Sequence, residues 1–125
     1  MLDRIKAMGA LAGFMKNQDA LREAGDRIRA EMKATRCVGE SGGGAARAVV
    51  SGSMEVLEVH LAPALVNGMA ADENTRSLAG TLIAQAVNEA LRKAQEKLRE
   101  TLRAEAVSMG LGDLGGLDEL ADFLR

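Results

Sequence analysis

Seven cationic side chains recur at helical spacings that suit the binding of phosphates. Arg22, Arg29, Lys33 and Arg36 fall within about 60° of one another on a helix that turns 100° per residue. Arg92, Arg99 and Arg103 follow an i, i+7, i+11 pattern and share one side of a second helix. Guanidinium and ammonium groups aligned in this way neutralise a phosphate backbone and release its counterions, which gives affinity without reading base sequence. A solvated helix face presents the same rows. Asp19, Glu23 and Asp26 run beside the first, while Lys93, Lys97, Glu96 and Glu100 supply the surface ion pairs of a solvent-facing second helix. Residue types alone leave the two readings equal. With two Phe, no Tyr and no Trp, the chain lacks the aromatic side chains on which single-stranded nucleic acids stack.

Other groups with reactive potential are weaker. Gly39-Glu40-Ser41-Gly42-Gly43 satisfies the G-x-S-x-G pattern of a nucleophile elbow. An elbow needs a strand before it, a helix after it, and an acid and a histidine further on in a large sheet. Here a hairpin pattern follows and His60 is the sole histidine, so the chain is read as a non-enzyme. Gly42 to Gly44 is not followed by the Lys-Ser/Thr pair of a phosphate-cradling loop. His60 has no ligating neighbours and Glu58 offers it at most a weak pair, so neither a metal nor a cofactor is expected. Cys37 reads as a small buried residue at a helix-to-strand junction in preference to an activated thiol.

The elements that must carry the basic rows are legible from periodicity. Phe14, Leu21 and Ile28, with Ala24 and Met32 between them, form the apolar stripe of a first amphipathic helix. From Gly39 to Gly52 the chain holds five glycines and two serines, and alternation around them predicts strands over Ala45 to Val50 and Val56 to Leu61, joined through Ser51, Gly52 and Ser53. Cys37 to Glu40 is a candidate third strand. Leu57, Val59 and Leu61 then face a core, Glu58 and His60 face outward, and Pro63 ends the ladder. Asn67 and Gly68 read as a turn toward a second helix capped by Asp72, Asn74 or Thr75. Leu78, Leu82, Ala86, Ala90, Ala94, Leu98 and Leu102 give that helix a narrow, alanine-lined seam suited to close packing.

Composition sets the outer bounds. A chain of 125 residues supports one modest core, and long helices at this length expose more surface than one copy covers, which predicts a homodimer. A single cysteine excludes an intramolecular disulfide and suits a reducing, cytoplasmic setting; neither a basic-then-apolar leader nor a membrane-length apolar run is present. The net charge of −2 is unevenly spread: +3 over residues 1–37, −2 over 38–71, zero over 72–109 and −3 over 110–125. The resulting plan is α+β: one domain over 1–109, with helix over 1–36, sheet over 37–63 and helix over 72–109, then a Gly-rich acidic tail over 110–125. That tail is either disordered or a short amphipathic turn, and it could fold back on a basic row in competition with a polyanion.

The GESG of Gly39 to Gly42, Gly44, Arg47, Gly52, the apolar Val59 and Leu61 two apart before Pro63, and Asn88 followed by Ala90 together resemble the YbaB/EbfC nucleoid-associated proteins. The resemblance runs without a gap from about Cys37 to Leu65 and more loosely along both flanking helices. It implies a homodimer joined through its sheet, with long helices as tweezer-like arms that grip double-stranded DNA in the nucleoid with little sequence preference. On that plan Val49, Leu57, Val59 and Leu61 form the dimer core, and Arg22, Arg29, Lys33, Arg36, Arg92, Arg99 and Arg103 are phosphate contacts inferred from their spacing. The alternative is a protein-protein adaptor that uses its apolar seams or its tail to recruit a replication, repair or targeting partner. A purely structural dimer without a stable ligand is a third reading.

Overall fold

The computed structural model describes residues 18–109; Phe14, the entry to the first helix and the acidic tail lie outside this range. Helix α1 (Gln18–Ala34) leads into strand β1 (Arg36–Ser41), a 3-10 turn (Gly42–Gly44), strands β2 (Ala46–Ser51) and β3 (Val56–Leu61), and helices α2 (Pro63–Ala71) and α3 (Glu73–Ser108). The strands form one antiparallel sheet in the order β1-β2-β3. Its first hairpin closes on three glycines at φ +60°, +67° and +93°, where a side chain would be strained.

Helix α3 lies on one face of this sheet, and the contact is made of very small side chains. Ala46, Ala48 and Val50 of β2 meet Ala86, Ala90 and Ala94 of α3, all fully buried, and Val50 is the largest side chain so enclosed. Gly39 of β1, paired with Ala48, sets the spacing: a Cβ there would stand 2.1 Å from the Ala86 carbonyl oxygen. Cys37, Leu61, Leu82, Ile83, Val87 and Leu91 pack around this centre. Asp72 caps α3, accepting from the Asn74 amide and the Thr75 hydroxyl, so the first of the three expected caps is the one used.

Ala24 and Met32 bury the stripe of α1, and Met32 closes over Gly52, where a Cβ would come within 2.8 Å of the Met32 carbonyl. Arg27 is ion-paired with Glu105, and Glu31 shares a 270 Å³ cleft with Thr101 and Glu105. One turn back along α1 thus matches one turn forward along α3, so the two helices run antiparallel. On the far side of the sheet-packed core, Lys93 Nζ donates to the Val38 carbonyl of edge strand β1 at 2.9 Å.

Several expectations are corrected. The first helix ends at Ala34, and Arg36 opens β1 opposite Ser51; β1 is therefore longer than Cys37 to Glu40. The β2 strand is shifted by one residue, to Ala46–Ser51, while β3 has the expected bounds. Asn67 and Gly68 lie inside α2 and do not form a turn: Pro63 presets the first helical position, Leu65 is buried, and Gly68 admits Thr75, whose Cγ2 would be 2.8 Å from a Cβ there. The seam of α3 admits Ala79, fully buried, in place of Leu78, which is 52% exposed.

The largest departure concerns β3. Within one chain Val56, Leu57 and Val59 are 49%, 40% and 43% exposed, because β3 is an edge strand and no element among the described residues covers it. Only Leu61 is drawn half under the core, and Val49, on the central strand, is buried. The register shifts between Val49, opposite Glu58, and Val50, opposite Val56, which leaves Leu57 as the additional residue of a bulge.

Candidate nucleic-acid interface

The basic row of α1 is reduced from four members to three. Arg22, Arg29 and Lys33 are exposed on the helix, with Arg29 paired to Asp26. Arg36 has left the row: from the strand, its guanidinium donates to the Lys33 carbonyl at 3.0 Å and the Thr35 carbonyl at 3.3 Å, satisfying acceptors at the end of α1. The geometry is local in origin. Thr35 lies between helix and strand, and the change from a 3.6-residue to a two-residue period rotates the next side chain off the helical line.

Arg92, Arg99 and Arg103 keep their alignment, on the side of α3 opposite the Ala86, Ala90 and Ala94 seam. Arg92 and Arg103 are exposed and Arg99 is half-buried. Arg92 has Glu96 at 3.8 Å, and Lys93 has Glu89 at 3.6 Å. These are i, i+4 pairs between exposed groups, worth a few tenths of a kcal/mol, so a polyanion competes with them at little cost. The two basic lines sit on different helices, and the ion pair that joins those helices, Arg27 with Glu105, belongs to neither.

The line on α3 continues toward the sheet with residues that charge counting overlooks. Gln85, Asn88 and Arg92 follow i, i+3, i+7, and together with Glu40, Ser41 and Gly42 of the first hairpin they line an open hollow of about 520 Å³. A search for charged side chains passes over two neutral carboxamides; a search for polar side chains at helical spacing would have found them.

Ser41 donates its hydroxyl to the Leu82 carbonyl, so the serine of the G-x-S-x-G pattern ties β1 to α3. Cys37 is half-buried against the alanine core. His60 stands 3.6 Å from Glu58, both exposed, and opposite Arg47, whose Nε is 3.9 Å from Glu40. Among the described residues no three His, Cys, Asp or Glu side chains gather as metal ligands, and no helix is long and apolar enough to cross a membrane.

A family model described as the YbaB/EbfC DNA-binding family matches residues 8–109 of the chain, which takes in both basic lines and the whole sheet. A nucleoid-associated protein of Chlorobium phaeobacteroides is 31% identical over 117 residues, covering 91% of this chain and 96% of its own. A nucleoid-associated protein of Acetivibrio thermocellus is 30% identical over 109 residues, with 87% and 90% covered, and one of Pseudomonas fluorescens is 27% identical over 103, with 82% and 90% covered.

Proposed function

The chain belongs to the YbaB/EbfC DNA-binding family, and on that premise we propose that it binds double-stranded DNA as a homodimer and helps to organise the nucleoid, without catalysis and with little regard to base sequence. The observation that carries this reading is the family match over residues 8–109, and relatives named as nucleoid-associated proteins support it. Arg22, Arg29 and Lys33 on α1 and Arg92, Arg99 and Arg103 on α3 are the proposed phosphate contacts. Arg36, engaged by the last carbonyls of α1, contributes least.

A chain of net charge −2 needs its cations concentrated, and the basic row of α1 lies in the segment of net charge +3. Two copies double the phosphates neutralised at once, which converts a weak surface into a usable one. The exposed apolar edge at Val56, Leu57 and Val59 offers a surface on which copies would join. The same exposed edge, together with Val66 and Leu78, favours the adaptor reading as the alternative, since it would suit a different protein.

Equilibrium binding to a random-sequence duplex across a salt series, with the full chain and with residues 111–125 removed, tests the proposal. Affinity that falls linearly in the logarithm of salt, with a slope equivalent to several phosphates, is expected. Tighter binding without the tail would identify the acidic segment as a competitor. Absence of binding at low salt by a folded dimer would reject DNA as the ligand and favour the adaptor.

A further inference from the structure

We propose that the hollow between the first hairpin and α3 is a contact site for the sugar-phosphate backbone of duplex DNA, in which Asn88 and Gln85 donate hydrogen bonds beside Arg92. This rests on the DNA-binding reading above and adds neutral residues to it.

Three observations converge on the hollow. Asn88 and Gln85 are exposed, and among the described residues neither carboxamide has a hydrogen-bond partner within the protein, so both amide groups are available to a ligand. They line the same 520 Å³ space as Arg92, the first cation of the α3 line, so the charged row and the uncharged pair form one continuous strip. Opposite them stands Gly42, exposed in the first hairpin, whose backbone forms part of the wall of the hollow.

The two carboxylates at the rim do not contradict an anionic ligand. Glu40 is turned toward Arg47, at 3.9 Å, and Glu89 toward Lys93, at 3.6 Å, so each has a cation of its own. Ser41 is occupied by the Leu82 carbonyl. The donors left to a ligand are therefore the two amides and a guanidinium held only by an exposed pair with Glu96 at 3.8 Å. Asparagine and glutamine are regular donors to phosphate and sugar oxygens in protein-DNA contacts.

A neutral donor and a cation leave different signatures. A guanidinium on a phosphate releases a counterion, whereas a carboxamide does not, so only the former contributes to the salt slope. Binding of a random-sequence duplex would be measured across a salt series for the wild type, Asn88→Ala, the double variant Gln85→Ala/Asn88→Ala, and Arg92→Gln. Helix content by circular dichroism and mass by light scattering would be matched first; alanine at these exposed helical positions favours the helix. The expected result is a loss of about threefold to tenfold for Asn88→Ala, greater for the double variant, with an unchanged slope. Arg92→Gln should lose affinity and lower the slope by about one.

A double variant that binds as the wild type does, with Arg92→Gln impaired, would overturn the site while leaving DNA binding intact. A wild type that fails to bind DNA at low salt would overturn the functional reading itself. A loss confined to A·T-rich or G·C-rich duplexes would overturn the backbone assignment, since it would place the amides on base edges.

Discussion

Gly39 and Ala86 meet backbone to backbone: a Cβ on Gly39 would stand 2.1 Å from the Ala86 carbonyl oxygen and 2.5 Å from the Ala90 amide nitrogen. Neither atom belongs to a side chain that can rotate away, so the sheet and α3 must separate to admit a methyl group.

Gly39→Ala should therefore lower stability by about 2 to 3 kcal/mol, toward the upper end for an overpacked core. Gly80→Ala is the control, because Gly80 lies within α3 with open space around it and its replacement should stabilise by roughly 0.5 to 1 kcal/mol. Thermal or urea unfolding of both variants measures the contrast; equal midpoints would mean that the close approach gives way without cost.

The basic line of α1 makes a separable prediction. Replacing Arg22, Arg29 and Lys33 with Gln should weaken DNA binding and reduce the salt slope by about one for each phosphate no longer neutralised. Arg36→Gln should change the slope little, since that guanidinium is bound to the Lys33 and Thr35 carbonyls. Filter retention or anisotropy at graded salt would separate the four, and a full unit of slope removed by Arg36→Gln would return that residue to the binding surface.

Val59→Asp tests the join between copies. Val59 is 43% exposed in the single chain, so its replacement should disturb the folded chain little while introducing a charge into the proposed apolar contact. Sedimentation should show the dimer giving way to a folded monomer with reduced DNA affinity. A variant that stays dimeric would place the join elsewhere than β3.

Asp72→Ala removes the acceptor for the Asn74 amide and the Thr75 hydroxyl at the start of α3. The expected cost is about 1 kcal/mol in unfolding experiments, with DNA binding unchanged at temperatures where the chain is folded. A loss of affinity at matched stability would connect this cap to the interface.

What could be read from the sequence was what local rules decide. The bounds of β3, the cap at Asp72 and the alanine seam follow from alternation, capping chemistry and helical spacing. Helix α2 was hidden because Asn67-Gly68 is a strong turn signal, and only packing of Leu65 and the approach of Thr75 to Gly68 override it. The departure of Arg36 from the basic line depended on a helix end two residues earlier than the charges suggested. Hydrophobicity favours Leu78 as the inward residue, yet at 100° per residue Ala79 shares the arc of Ala86, Ala90 and Ala94 and Leu78 falls outside it, so Ala79 is the one buried. The hollow at Asn88 joins residues from two elements distant in sequence, and no spacing along the chain shows that they meet.

The hydrogen bond from Lys93 to the Val38 carbonyl bears on how far association can proceed. A three-stranded sheet has two rims, and each is an invitation to another chain. Here an ammonium group from α3 holds the Val38 carbonyl of edge strand β1, while the rim at β3 is apolar and uncovered among the described residues. If copies join by their β3 rims, that edge is used up, and the rims left to the product are those in which Lys93 already holds a carbonyl. Such a join would close on itself as a pair, with further growth along the sheet hindered, and so would work against a fibre.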